Sequence, residues 1–179
     1  MNFEWLKIRK KPIMKFEKIS VSEATEAFRQ CDYVGYGEEK IQRVLDSVRL
    51  PERSTANSAG YDFFLPDFLQ GTTVALSEHH MKFPLLVKCV NMPSDCVLLV
   101  FNRSSLALKN GFGLDNGVGV IDADYNKCIY FQATCRNGET PLLIKPGMKI
   151  CQGIFMKFCV LPNDSATGQR NGGIGSTGK

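Results

Sequence analysis

The sequence lacks any run of about 20 apolar residues, the length a membrane-spanning helix needs. The basic residues Lys7, Arg9, Lys10 and Lys11 have no apolar stretch behind them, so a secretory signal is not expected. Histidine is nearly absent. His79 and His80 are the only two, and neither stands at zinc-site spacing from a cysteine. No C-x-x-C pair occurs among the seven cysteines, an odd number, and most of them sit inside apolar runs where Cys behaves as a small hydrophobe. The pattern reads as reduced thiols in a cytoplasmic protein, and no Cys-His arrangement supports thiol catalysis. Strong charge is also missing: 22 Lys and Arg against 18 Asp and Glu leave a formal net charge of +4. That excess suits an anionic ligand or a few spare surface lysines equally well, and it is too weak to argue for nucleic acid.

What is present suits one domain with a real core; 179 residues of ordinary globular composition bury enough apolar surface. Residues 13 to 19 alternate apolar and charged side chains, which predicts a strand with one wet face. Ser20 and Glu23 have capping-box spacing, and Ala24, Ala27 and Phe28 follow at helical spacing. A second helical stripe holds Ile41, Val44, Leu45 and Val48, and Pro51 ends it. Beyond Pro51 helix signals largely vanish. Short β-rich runs recur over 72–76, 83–90, 97–101, 117–121, 128–134, 141–144 and 150–160, separated by turn residues. The expected class is all-β, a sandwich or barrel, with a helical insertion at about 20–49. From Asn163 the chain turns polar and Gly-rich, so 163–179 reads as a flexible arm following a β domain over 1–162.

Several short segments could carry chemistry. Arg103-Ser104-Ser105 directly follows an apolar strand; a guanidinium fork and two hydroxyls match phosphate oxygens, or they form a strand-end turn with a surface Arg. Gly119-Val120-Ile121-Asp122-Ala123-Asp124-Tyr125 sets two carboxylates beside apolar positions. One could orient and deprotonate a water, or the segment is an Asp-rich turn. Asp62, after the small-residue stretch Asn57 to Gly60, could stand near a hydrated cation or cap a turn. Gln152 is a polar residue inside an apolar strand and needs hydrogen-bond partners, in the core or on a ligand. In the tail, Arg170 to Gly178 offers glycine-freed amides with Ser176, Thr177 and Arg170, a phosphate wrap or a plain flexible end; it is not a Walker loop.

Together and in this order, these segments resemble the motifs of the trimeric dUTPase (deoxyuridine 5′-triphosphate nucleotidohydrolase) family over about residues 51 to 178 plus the first strand. The resemblance implies a distorted jelly-roll-like β-barrel that hydrolyses dUTP to dUMP and pyrophosphate with Mg²⁺. That activity limits uracil incorporation into DNA and supplies dUMP for thymidylate synthesis. It implies Asp122 as the base that orients the attacking water and Tyr125 under the deoxyribose. The hairpin Asp115-Asn116-Gly117-Val118-Gly119 would read uracil through backbone groups, with Asn116 helping to hold the base, and Gly119, Val120 and Ile121 would contact the substrate. Arg103, Ser104, Ser105 and Gln152 would grip phosphates. Arg170, Ile174, Gly175, Ser176 and Thr177 would close over the substrate, with Arg170 on the γ-phosphate. Asp62 would act on the metal indirectly, through water. A homotrimer with arm exchange between subunits is implied as well.

Some positions depart from the family pattern. Ile174 stands where an aromatic normally covers uracil, Asn126-Lys127 follow the third motif, and Lys149 replaces a more usual Arg. The helical insertion is extra; it packs on the barrel, covers the trimer rim or docks a protein partner. A dCTP deaminase, alone or combined with dUTPase activity, would share Arg103-Ser104-Ser105-Leu106-Ala107. It would need an Arg at Leu108 and a Glu at Gln132, and an amide cannot shuttle the proton of deamination. The remaining rival is a non-catalytic regulator on the same scaffold.

Overall fold

The alternation over residues 13–19 becomes strand β1 (Lys15–Lys18) in a computed structural model of the chain, which describes residues 12–33, 35–69, 71, 74–76, 80–135, 142–170 and 172. Ser20 then caps helix α1 (Val21–Arg29). The Glu23 amide donates to the Ser20 hydroxyl, and Glu23 accepts from the Ser20 amide, so the capping box read from spacing is formed. Helix α2 (Glu38–Ser47) buries Ile41, Val44 and Leu45, and the Lys18 ammonium donates to the Leu45 carbonyl at its C-terminal end at 2.8 Å. Phe28 stacks on Tyr36 at 4.7 Å between centroids and meets Phe68 edge-on at 6.2 Å. The insertion therefore packs into the main core. Fully burying a side chain such as Phe28 contributes on the order of 1.5–3 kcal/mol.

The remaining described elements are β2 (Glu52–Arg53), β3 (Tyr61–Phe64), β4 (Val74–Leu76), β5 (Met81–Pro84), β6 (Val87–Val90), β7 (Cys96–Asn102), α3 (Ser104–Asn110), β8 (Phe112–Leu114), β9 (Gly119–Ile121), β10 (Tyr130–Cys135), β11 (Leu142–Ile144) and β12 (Lys149–Lys157). All observed pairings are antiparallel. The class is all-β, as expected. The described strands form four small sheets and not a closed barrel: β1-β6, β11-β4, β5-β10-β8 and β2-β3-β12-β7-β9. Phe16 of β1 joins these layers, lying 5.5 to 5.7 Å from the rings of Tyr61, Phe63 and Phe155.

Two expectations need correction. The run over 83–90 is two strands, because Pro84 has no amide hydrogen to donate and Leu86 takes a positive φ of 55°. The chain turns there, and β5 pairs with β10 while β6 pairs with β1. Second, the residues after Arg103 form a helix, α3, in a region where helix signals largely vanish from the sequence. Arg103 is extended at its N-cap, Leu106 is buried, and Gly111 closes it with φ 63°. A seven-residue helix with no side-chain cap and an 84% exposed Leu108 leaves almost no periodic trace in sequence.

Candidate active site

Two groups of polar side chains flank β7, one just beyond its Asn102 end and the other running from the β8–β9 turn, beside that same end, to Asp122 level with its opposite end. The first gathers around Asp62, a charged side chain only 7% exposed. Arg103 Nε lies 3.1 Å from its Oδ1, and Lys149 Nζ lies 2.8 Å from its Oδ2. The Ser54 hydroxyl donates to the same Oδ2 at 2.7 Å. Lys149 reaches this carboxylate at a register shift between Lys149 and Cys151, where an irregular ladder re-aims a side chain. Gln152 pairs across the ladder with Asp62 and donates from Nε2 to the Asn102 carbonyl at 3.0 Å. A Cβ at Gly60 would sit 2.6 Å from Gln152 Oε1 and would displace that amide from its present place. Ser104 and Ser105 lie exposed in the first turn of α3.

Burial pushes the Asp62 carboxyl up, but the Lys149 and Ser54 hydrogen bonds and the charges of Arg103 and Lys149 outweigh it, so its pKa falls below the ordinary value. A depressed folded-state pKa contributes stability that is fully present above the unfolded value of about 4 and is lost as pH falls through the folded one. The melting temperature of the unaltered protein should thus exceed that of Asp62→Asn at neutral pH, with the gap closing in acid below the ordinary carboxylate range. Thermal melts against pH read this; a gap that stays constant down to pH about 3 would refute the pairing.

The second group starts at the turn between β8 and β9. Asp115 to Val118 form it, with Gly117 at φ 75°, a conformation that favours glycine. Asn102 Oδ1 accepts from the Leu114 amide at 2.6 Å, tying the turn to β7. Asp115 is its anchor. His80 Nδ1 lies 2.9 Å and Gln132 Nε2 3.1 Å from Asp115 Oδ2, and the Thr134 hydroxyl donates to Oδ1. Burial raises the Asp115 carboxyl, yet these donors and the nearby His80 leave it below its ordinary value. A cavity of about 270 Å³ opens here, lined by Val100, Leu114, Asp115, Asn116, Gly119, Ile121, Tyr130 and Gln132.

Asp122 follows β9 directly, its side chain 47% exposed. Arg170 binds it through Nη2 and binds Asp124 Oδ1 through Nε at 2.8 Å. The guanidinium also lies 5.8 Å from the ring centre of Tyr125. Tyr125 is 7% exposed and donates its hydroxyl to the Cys128 carbonyl at 2.7 Å. Burial pushes its phenol up to about 12. Cys128 behind it is likewise raised to about 12 by burial, which leaves no thiolate for nucleophilic chemistry at neutral pH. All seven cysteines are free thiols.

The structure thus brings Asp62, Arg103 and Gln152 together, and separately Asp122, Tyr125 and Arg170. It does not join the two groups within one chain. Ile121 is the register partner of Leu98, so Asp122 stands level with Val97, while Arg103 lies beyond the other end of β7, about 20 Å away at strand rise. Ile174, Gly175, Ser176 and Thr177 lie outside the described residues. Sequence reasoning missed Ser54, Tyr130 and Lys149's place on Asp62. The Lys149–Asp62 contact spans 87 positions, and no local pattern announces it.

The dUTPase family model matches residues 46–178. The deoxyuridine 5′-triphosphate nucleotidohydrolase of Lactococcus lactis is 35% identical over 139 residues, covering 73% of this chain and 89% of that protein. The chain belongs to the dUTPase family. The namesake from Yaba monkey tumor virus is 31% identical over 147 residues, covering 77% of this chain and 94% of its own. Among solved structures, the dUTPase of Streptococcus mutans superposes with a TM-score of 0.57 at 29% identity, covering 82% of this chain and 97% of that one. In family terms, the helices before β2 lie almost wholly outside the matched span, although they bury Ala24, Ala27, Phe28 and Ile41 in the common core.

Proposed function

We propose that this chain is a dUTP diphosphatase, hydrolysing dUTP to dUMP and pyrophosphate, with Asp122 as the general base. The observation that carries this reading is the cavity at the β8–β9 turn, with Asp122 one residue beyond its lining residue Ile121 and the buried Tyr125 three further on. Asn116 and the backbone of Gly119, Val120 and Ile121 hold uracil there. Tyr125 packs under the deoxyribose and leaves no room for a 2′-hydroxyl. Asp122 accepts a proton from a water whose oxygen attacks the α-phosphorus; the bond to the bridging oxygen breaks and pyrophosphate leaves. Arg103, Ser104, Ser105 and Gln152 donate to phosphate oxygens and stabilise the charge that develops.

When substrate arrives, Arg170 leaves the Asp122 and Asp124 of its own chain, which frees that base, and the exchanged arm carries it to the γ-phosphate at a neighbouring chain's site. The arm over 163–179, with Ile174, Gly175, Ser176 and Thr177, then excludes water. Mg²⁺ suits such a site when it arrives on the triphosphate, because it binds phosphates and water with few protein carboxylates. Among the described residues no group of three or more His, Cys, Asp or Glu could hold a metal ion by itself. Both Asp62 oxygens are engaged by Arg103, Lys149 and Ser54, so Asp62 acts on the metal's water shell and phosphates indirectly. Bound there, the ion would neutralise triphosphate charge.

The assembly is a homotrimer with arm exchange. Its support is the outer face of the five-stranded sheet. Val120, Leu99 and Ile154 align across β9, β7 and β12, with Val97 and Met156 beside them. Val120 is 59% and Met156 49% exposed in one chain, while Leu98 and Val100 on the opposite face are buried. An apolar strip of this kind calls for a partner surface. It also carries Gln152 and Asp62, so a neighbouring chain docked on it brings an Asp122 to the phosphate grip that the same chain cannot supply. Among the described residues no helix is long and apolar enough to cross a membrane, and cytoplasmic nucleotide metabolism is the setting proposed. At the deaminase position Gln132 is an amide committed to Asp115, which disfavours dCTP deamination. With Mg²⁺, the purified protein should release pyrophosphate from dUTP and not from UTP, dCTP or dTTP. Deoxyuridine nucleotides formed from dCTP, or no turnover of dUTP, would sink this reading.

A further inference from the structure

We infer that Tyr130 forms the aromatic wall of the base cavity and is a specificity-determining contact for a pyrimidine ring, an inference that rests on the dUTP reading above. The cavity of about 270 Å³ equals the volume of about nine water molecules, a fit for one six-membered ring with its exocyclic oxygens. Its apolar walls come from Val100, Leu114 and Ile121, and Tyr130 is the one aromatic side chain among its lining residues. Tyr130 shares the outward face of β10 with Gln132 and Thr134, while Phe131 and Ala133 point into the core. Its ring is half-buried, and its phenol makes no hydrogen bond to another described residue, so both a π-face and a polar tip are open to a ligand.

The ring is also braced. The Lys82 ammonium lies 4.5 Å from its centre and donates to the Gln30 carbonyl at the end of α1 at 3.3 Å. Ser22, Glu23, Glu26 and Gln30 of the insertion border a second cavity of about 580 Å³ on which Tyr130 and Tyr125 both abut. The insertion therefore reaches the base site through Lys82 and Tyr130. Lys82 is a positioning residue; Tyr130 touches the base.

The test uses the full chain with three readouts: steady-state kinetics on dUTP, calorimetric binding of dUMP, and inhibition by tripolyphosphate, which has no base. Tyr130→Leu is expected to raise KM for dUTP and weaken dUMP on the order of tenfold, as loss of a base–aromatic stack does, while Tyr130→Phe stays within about twofold. Inhibition by tripolyphosphate should be unchanged in both. Lys82→Met should raise KM with kcat retained, and Lys82→Arg should restore it. Unchanged dUMP binding in Tyr130→Leu overturns the inference. A parallel loss of tripolyphosphate inhibition also overturns it, since that is general damage to the fold. Failure of the unaltered protein to hydrolyse dUTP counts against the proposed activity, and dUMP binding still decides the role of Tyr130.

Discussion

Asp122→Asn should lower dUTP turnover by about a thousandfold, the midrange of general-base effects, while dUTP binding stays within a few-fold. The carboxylate is half-exposed at the end of β9 and holds no core contact, so its loss leaves the fold intact. Arg170 also binds Asp124, at 2.8 Å, so the resting position of the arm's root should survive in the variant. Removing a negative charge from beside the triphosphate does not weaken nucleotide binding by itself. Single-turnover kinetics on dUTP, with calorimetric binding of a non-hydrolysable imido analogue, separate the two effects. Turnover above a tenth of the unaltered rate would remove Asp122 from the role of base.

The second large effect is subunit complementation. Arg103→Ala removes the proposed phosphate donor and the Asp62 partner and should by itself abolish most activity. If each site takes Asp122 from one chain and Arg103 from another, two dead variants rescue each other. Trimers co-assembled from equal amounts of Asp122→Asn and Arg103→Ala chains should recover activity at about one site in four. The physical ground is the separation of about 20 Å along β7, which no side-chain rotation spans. Activity is read after mixing under mild denaturation and refolding, against each variant refolded alone. A mixture no more active than its parents would mean that one chain builds the whole site.

Much of the fold was legible because its signals are local. The capping box of Ser20 and Glu23 and the stripe Ile41, Val44 and Leu45 each lie within one element, and both became helices as read. The strand runs between turn residues mark β7, β10 and β12 to within a few positions. The break at Leu86 and helix α3 were not legible. Each depends on which distant strand or core pocket the segment meets, and a strand's neighbours override its own pattern. In the candidate site, Asp62, Arg103, Asp122 and Gln152 stood out by residue type within short motifs. Tyr130 did not, because an aromatic in an apolar strand has the same signature whether it fills a core or walls a cavity.

By itself the sequence determined the all-β class, the helical insertion and family membership, since these rest on local periodicity and on short motifs in a given order. Tertiary structure alone decided that Lys149 joins Arg103 on Asp62, that the Asp115 carboxylate pins the turn beside the cavity at β8 and β9, and that Asp122 and Arg103 lie level with opposite ends of β7. Those facts come from strand register and sheet order, where one residue of shift turns a side chain to the other face. Register is set by contacts across the whole chain, and no window of sequence contains it.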